Sequence, residues 1–412
     1  VAEMDSYIQR RRQLYEPMRQ EGIFTWDWCY GQEYGLASLH EISLSFRREL
    51  AFASEALGEI FRKVVAVVQQ GEDSLLQELG LPEATWEAVR LAIPESVTLI
   101  GRFDFAQTPE GLKMLEFNSD TPTGIVEAFY ANGQACDFFG VEDPNQGMEQ
   151  DLQEGFRSLV AGYRQKRDHI VFSALGWHEE DAGTTRYLMD RSRLPAQFVP
   201  LEDLQVEEGG LVAKTDDGLL PVDVWFRLHP LEMLVQDRDS DGYPTGVRLL
   251  ELITAGKVIS INPPGAFIAQ TKALQALIWN LHEKGQFFSP AEHHIIDTYM
   301  LPTYMENRFQ GESPYVVKPI FGREGGAVVL HEADGSVMAT DGEDAYWDQP
   351  MVYQKKAELE QVKTETLKGS FTGHLLWGSF LINGKASAIL ARIDGPITGN
   401  LSYFLPVGLK KT

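Results

Sequence analysis

The stretch Arg102-Phe103-Asp104-Phe105, followed a short turn later by Leu115-Glu116-Phe117-Asn118, constrains this chain more than any other. Both pieces alternate apolar and polar residues, the period-2 pattern of a half-buried strand. Thr108-Pro109-Glu110-Gly111 between them has turn composition. Side chains two apart share one face of a strand. Arg102 therefore projects with Asp104, and Glu116 with Asn118. If the strands pair with those faces together, two carboxylates, one amide oxygen and one guanidinium converge. Hard oxygen donors of this kind suit Mg²⁺ better than zinc. The arginine suits phosphate or a developing oxyanion. A surface hairpin with solvated charges is the other reading of the same residues.

Around the hairpin the chain changes character several times. From 34 to about 70 apolar residues recur at helical spacing without proline, which predicts long helices, then a shorter one over 83–91. A helix is expected to start at Thr121-Pro122-Thr123-Gly124 and to run to about Asn132. Strands near 170–174, 197–200, 222–226 and 258–261 alternate with helices near 147–165, 180–190 and 246–254, the pattern of an α/β layer. The stretch 267–281 is helical again. Strands then dominate, over 315–319, 326–330, 351–354, 373–382 and 385–393, reading as an antiparallel sheet with a hairpin across Asn383-Gly384. The 412 residues suggest roughly two to three structural units.

The second informative motif is Val316-Val317-Lys318-Pro319-Ile320-Phe321-Gly322-Arg323-Glu324-Gly325-Gly326. An apolar strand delivers a lysine to a glycine-rich loop, whose backbone N–H groups can approach an anion closely. A lysine embedded among apolar residues needs an anionic partner, so phosphate binding is the favoured reading over a plain hairpin. The pattern is neither GxxxxGK[ST] nor GxGxxG. Lys272, at the head of an apolar helix, reads by itself as a snorkelling surface lysine. Gln354 ends a strand and, with nearby backbone, could read an adenine edge. Arg392 ends another strand. His178-Glu179-Glu180-Asp181 reads either as a helix N-terminus, where acids favour the macrodipole, or as an acidic site for an amine. Phe24, Trp26, Trp28 and Tyr30 read as core packing. Asp237-Arg238-Asp239-Ser240-Asp241-Gly242 starts like a calcium loop, but its twelfth position is Arg248 where a glutamate is required, so it reads as a polar loop. The stretches 225–229 and 371–377 read as loops that carry substrate-facing side chains.

Composition removes several function classes. A net charge of −24, from 60 acidic and 36 basic residues, repels nucleic acid and anionic membranes. Cys29 and Cys136 are the two cysteines, so no disulfide framework or Cys/His zinc cluster is expected. No run of about 18 apolar residues is present, and the sequence opens without an apolar signal-peptide region. The cytoplasm is the expected location.

With these residues in view, the chain resembles the synthetase part of the glutathionylspermidine synthase family. The matching segments are GRFDF (101–105), LEFNSDTPTG (115–124), GWHEED (176–181), TKALQALIW (271–279), YVVKPIFGREGG (315–326), VYQ (352–354) and ARIDGPIT (391–398). They follow the family's order across most of the chain. The resemblance implies a mixed α+β and α/β fold: an ATP-grasp with permuted segment order, the metal hairpin preceding the phosphate lysines. It implies a helical N-terminal region (1–95), a metal-binding hairpin segment (96–140), an α/β pre-ATP-grasp substrate domain (141–260) and an ATP-grasp nucleotide-binding part (261–412). The branch it points to is a shorter one, without the amidase domain fused to some members.

The implied activity is an ATP- and Mg²⁺-dependent ligase that joins a small-molecule carboxylate, such as that of a peptide, to a polyamine or other amine through an acyl phosphate. A nucleotide-binding sensor or assembly subunit without turnover is the alternative. Carried over residue by residue, Asp104, Glu116 and Asn118 would hold Mg²⁺. Lys272 and Lys318 would contact the ATP phosphates, with backbone around Glu324 and Gly325 covering them. Gln354 and Ile397 would lie near adenine. Arg102, Arg323 and Arg392 would surround the transferred phosphoryl group, and Glu179 and Glu180 would bind the amine.

Overall fold

A computed structural model describes residues 2–92, 96–163, 168–323, 325–341, 348–399 and 402–411. Three sheets carry the architecture. The central one is antiparallel, in the order Tyr403–Leu405, Lys385–Asp394, Gly369–Ile382, Ile100–Thr108, Gly111–Asn118. Its longest strand, Gly369–Ile382, pairs with Gln361–Thr366 over its first half and with the hairpin over its second. The early hairpin and the late strands are thus one sheet. Asn383 and Gly384 both adopt positive φ in the turn between the last long strands, as a tight hairpin requires.

One face of this sheet is sealed by the helix Leu44–Gln69, which buries Leu50, Ala53, Leu57, Phe61, Val64 and Val68. Phe61 meets the stacked pair Phe103 and Phe117, whose ring centroids are 3.9 Å apart. Because Phe103 and Phe117 face the helix, their polar neighbours Arg102, Asp104, Glu116 and Asn118 must occupy the opposite face. A bulge opposite Asp104 and Phe105 inserts Leu115. The extra residue lets Met114 and Phe117, three apart, share the buried face.

The second sheet is parallel, in the order Ile259–Ile261, Val224–Arg227, Ile170–Ser173, Ala196–Phe198. Its strands are short apolar runs, as expected of strands covered on both faces. Asn262, just beyond it, bonds to the backbone at Leu99, Ile100 and Asp120 and ties this sheet to the hairpin. The third sheet is antiparallel, in the order Thr303–Tyr304, Met351–Lys355, Tyr315–Pro319, Val329–His331, Val337–Thr340.

Several expected boundaries moved. The first long helix begins at Leu44, where Ser43 caps Phe46 N at 3.1 Å, and not at 34. The preceding residues are recruited by the chain's end: His40–Ile42 pairs with Val407–Leu409, and Gly35 bridges to Phe404. Tertiary pairing overrides helical spacing there. The helix after the hairpin runs past Asn132, through a π-turn at Glu127–Ala131 into Asn132–Phe139. The helix over 267–281 is two, Ala266–Gln270 and Lys272–Glu283, because Thr271 is extended and caps the second. The stretches 225–229 and 371–377 are largely strand, and Trp225 and Trp377 are fully buried. The three-stranded sheet Leu204–Val206, Leu211–Thr215, Gly218–Val222 and the helix Pro290–Tyr299 lay outside the expected set. No helix among the described residues is long and apolar enough to cross a membrane.

Candidate active site

Strand register sets the first part of the site: Arg102 lies opposite Asn118, and Asp104 opposite Glu116. Arg102 grips Asp104 with two hydrogen bonds, Nε to Oδ1 at 2.6 Å and Nη2 to Oδ2 at 3.0 Å. Arg392, from the strand two places along in the same sheet, donates to Asp104 Oδ2 at 3.2 Å. Its Nε is buried without a hydrogen-bond partner among the described residues. Asn118 Nδ2 lies 3.4 Å from both Asp104 Oδ2 and Glu116 Oε1. Burial weakens the charge on Arg102, and Asp104 and Glu116 more than restore it.

The third sheet supplies lysine. Lys318 Nζ donates to Gln354 Oε1 at 2.7 Å and faces Leu115 O, on the bulge, at 3.4 Å. Lys272 is held by its place just after the Thr271 cap. Its backbone bonds Ile320 O at 3.0 Å, and its Nζ reaches Gly322 O at 3.1 Å and Glu116 Oε2 at 3.3 Å. It is 5 % exposed, so the surface-lysine reading fails: the ammonium is drawn inward by a carboxylate and a loop carbonyl. Burial raises Glu116, but Lys272, Lys318 and Arg102 outweigh it and hold the carboxyl well below its ordinary range. Lys318 is pulled down to about 8 by burial, with Glu116 opposing and Lys272 reinforcing the drop.

Between the central and third sheets lies a cavity of about 490 Å³. Val316, Val328, Leu330 and Leu376 give it apolar walls, and Asp104, Glu116, Lys272 and Lys318 line its charged end. Gly322, Gly325 and Gly326 close over it beside Ile397 and Thr398. Gly325 has φ +76°, and a Cβ there would lie 2.6 Å from Thr398 O, so this position accepts only glycine. Glu324 lies outside the described residues. Gln354 reaches the cavity, but both ends of its amide are engaged by protein: Oε1 by Lys318, Nε2 by Thr303 Oγ1 at 3.1 Å.

A second cavity, of about 290 Å³, opens on the other side of the hairpin's polar face. Arg102, Arg323 and Arg392 line it together with Glu180 and Asp181. Arg323 is steadied by Glu232 at 2.9 Å and Thr121 Oγ1 at 2.9 Å. The two cavities share Glu116, Gly325, Leu376 and Thr398 as walls.

The acidic motif splits. His178 caps its helix by accepting from Asp181 N at 3.2 Å. Glu180 faces the second cavity, whereas Glu179 accepts from Thr25 Oγ1 at 2.6 Å and is absent from the lining. Asp181, which the expected set omitted, lines the cavity instead. Burial raises its carboxyl, opposed by His178, Arg323 and His229. Consecutive helical residues point about 100° apart, so three acids in a row do not disclose which two share a cavity. The aromatic cluster also divides: Phe24 and Trp26 are core, while Trp28 and Tyr30 are exposed and Tyr30 rims the second cavity. Cys29 sits in a small recess between Arg102, Glu180 and Arg392. Burial and Glu180 push its thiol up to about 11, so it is protonated at neutral pH and unsuited to nucleophilic attack. The 237–242 loop satisfies its own backbone through Asp239, as a polar loop does.

The hairpin's donor set fits a hard divalent cation. Among the described residues no cluster of three His, Cys, Asp or Glu side chains surrounds a metal position. Two carboxylates and an amide meet instead, and the Asn118 amide needs only to turn for its oxygen to join them.

A sequence profile for the family described as glutathionylspermidine synthase preATP-grasp matches residues 7–410. A Haemophilus influenzae protein named as an acid–amine ligase is 28 % identical over 321 residues, 75 % of this chain and 74 % of that one. The bifunctional glutathionylspermidine synthetase/amidase of Escherichia coli is 24 % identical over 366 residues, 82 % of this chain and 56 % of that one. The chain thus spans about half the length of that bifunctional relative. In three dimensions it overlays a glutathione synthetase-like effector of Globodera pallida with a TM-score of 0.57 at 11 % identity, covering 98 % of this chain and 96 % of that one. At that identity the likeness is one of fold.

Proposed function

The chain belongs to the glutathionylspermidine synthase preATP-grasp family, and from that premise we propose that it is an ATP-dependent carbon–nitrogen ligase joining a carboxylate to an amine. What carries the reading is that a lysine-lined cavity and an arginine- and acid-lined cavity share a wall at Glu116 and Gly325. A phosphoryl donor and an acceptor lodged in them would meet at the hairpin. The core would be an ATP-grasp in which the hairpin precedes the lysines in the chain.

ATP would enter the first cavity, its base between apolar walls and its phosphates against Lys272, Lys318 and the Gly322–Gly326 backbone. Asp104, Glu116 and Asn118 would hold Mg²⁺, which when bound neutralises charge on phosphate oxygens. The substrate carboxylate would sit in the second cavity against Arg102, Arg392 and Arg323. It attacks the γ-phosphorus, ADP leaves, and an acyl phosphate forms. The amine is held by Glu180 and Asp181; its neutral nitrogen attacks the acyl carbon, the C–O bond to phosphate breaks, and the nitrogen's proton passes to the departing phosphate as the amide forms. The arginines offset negative charge on the transferred phosphoryl group and on the tetrahedral oxyanion. Enclosure matters because water would hydrolyse the acyl phosphate. No side-chain nucleophile is needed, in keeping with the protonated Cys29. The amine is proposed to be a polyamine or another cation-bearing amine, because the second cavity has an acidic rim.

The test is a screen of peptides and polyamines for ADP release with Mg·ATP, followed by product mass. Release that needs acid and amine together, with a product equal to their sum less water, is expected. Phosphorylated acid as the end product, or nucleotide binding without turnover, would overturn the ligase assignment.

A further inference from the structure

We propose that Gln354 is a positioning residue: its amide holds the Lys318 ammonium in the nucleotide cavity and takes no part in choosing the base. The inference rests on the reading that this cavity takes ATP. Gln354 is 2 % exposed, and its strand pairs with that of Lys318 so that Gln354 lies opposite Val316, diagonal to the lysine on the same face. A buried, hydrogen-bonded amide in the wall of a charged cavity has to be explained by what it bonds.

The wiring fixes the amide's orientation. Thr303 lies directly opposite Gln354 on the neighbouring strand. Its hydroxyl donates to Leu301 O at 3.0 Å. A hydroxyl has one hydrogen, so towards Gln354 the Thr303 oxygen can only accept. The amide must therefore turn its nitrogen to Thr303, at 3.1 Å, and its oxygen to Lys318, at 2.7 Å. That resolves, from neighbouring chemistry, which end of the amide is which. An ammonium carries three N–H bonds. One goes to Gln354 Oε1 and a second points at Leu115 O, 3.4 Å away. The third is left for the cavity.

The alternative, a glutamine that reads the adenine edge, needs a donor and an acceptor to spare. One amide N–H goes to Thr303 and the other faces Leu115 O on the hairpin at 3.4 Å, so no donor is to spare, and the oxygen is held by the Lys318 ammonium. Base reading by Gln354 would require breaking the bond that steadies a buried cation, which costs more than a neutral hydrogen bond returns.

The experiment is calorimetric binding of ATP and GTP to the whole chain and to three variants. Gln354→Leu should weaken ATP about tenfold, the scale of one hydrogen bond to a charged group, and GTP by the same factor. Thr303→Ser, which keeps the hydroxyl, should bind like wild type. Thr303→Val should show a smaller loss than Gln354→Leu, again equal for both nucleotides, and serves if Gln354→Leu does not fold. A fall in ATP affinity with GTP unchanged in either disruptive variant makes Gln354 a base reader and overturns the proposal. Unchanged ATP binding in Gln354→Leu overturns it too. Failure of the underlying reading looks different: the wild-type chain would then bind neither nucleotide.

Discussion

Two bidentate arginine–aspartate pairs lie close together in this molecule, and only one of them opens on a cavity. Arg227 and Asp120 are both fully buried and meet at 2.6 and 3.1 Å. The rest of Arg227 is used by Ser260 Oγ and the carbonyls of His229 and Asn262, and Asp120 also takes Leu231 N. Arg102 and Asp104 meet side-on through Nε and Nη2, at 2.6 and 3.0 Å, whereas Arg227 meets Asp120 end-on through its two Nη atoms. At Asp104, moreover, the carboxylate is shared with Arg392, flanked by Asn118, and lines the lysine cavity, while Arg102 and Arg392 line the arginine cavity. The first pair is closed on itself and joins the parallel sheet to the hairpin. The second has charge left over for a ligand. The same two residue types thus serve as a rivet in one place and as part of the proposed reactive centre in the other, and what separates them is whether the pair borders a cavity.

The comparison is broken most directly by cutting each pair. Arg227→Leu leaves Asp120 buried and unpaired, and should cost about 3–5 kcal/mol of stability. Chemical denaturation measures this, and a loss under about 1 kcal/mol would show that the pair is no rivet. Asp104→Asn should lower ADP release with acid and amine about 100- to 1000-fold. Its melting temperature should stay within a few degrees, because the open cavity lets water and ions solvate the arginines left behind. A collapse in stability like that of Arg227→Leu would erase the distinction between the pairs.

The acidic motif sharpens the contrast at smaller amplitude. Glu180→Gln and Asp181→Asn should each raise the amine KM about tenfold with the acid KM unchanged. Glu179→Gln, whose side chain is turned to Thr25, should change the amine KM less than about twofold. An effect at 179 equal to that at 180, with none at 181, would return the amine to the adjacent glutamates.

The smallest effect concerns pH. Lys318 is pulled by burial down to about 8, so it is charged below that pH and loses its charge above it. A phosphate favours the charged form, so nucleotide binding raises the lysine pKa and takes up a fraction of a proton near pH 8. Affinity should therefore decline as pH rises from 7 to 9. Calorimetry in buffers of different ionisation enthalpy measures the proton uptake, and none would place Lys318 away from the phosphates.

Much of the proposed reactive centre was legible because strand alternation is strict. Once Phe103 and Phe117 are assigned to the core, Arg102, Asp104, Glu116 and Asn118 have one face left to occupy. Lys318 was legible for a similar reason, since a lysine inside an apolar strand must find an anion. Lys272 was not. Its inward turn depends on the extended Thr271 between two short helices, and local spacing reads those helices as one. Asp181 was hidden by the helical rotation between neighbouring residues, and the Arg227–Asp120 rivet by a separation of more than 100 positions. The start of the long helix was misread because strands from the chain's end claim residues 35–42. Local pattern fixes which side chains travel together, and long-range pairing fixes what they meet.

The most direct measurement follows oxygen. With both carboxylate oxygens of the acid selected by the screen carrying ¹⁸O, and Mg·ATP and amine added, the phosphate released by the wild-type chain is analysed by mass. Phosphate carrying one heavy oxygen, with the other retained in the amide, is the result expected if the carboxylate in the arginine cavity is phosphorylated by the nucleotide in the lysine cavity. Unlabelled phosphate alongside amide product would mean that the two cavities never exchange the phosphoryl group.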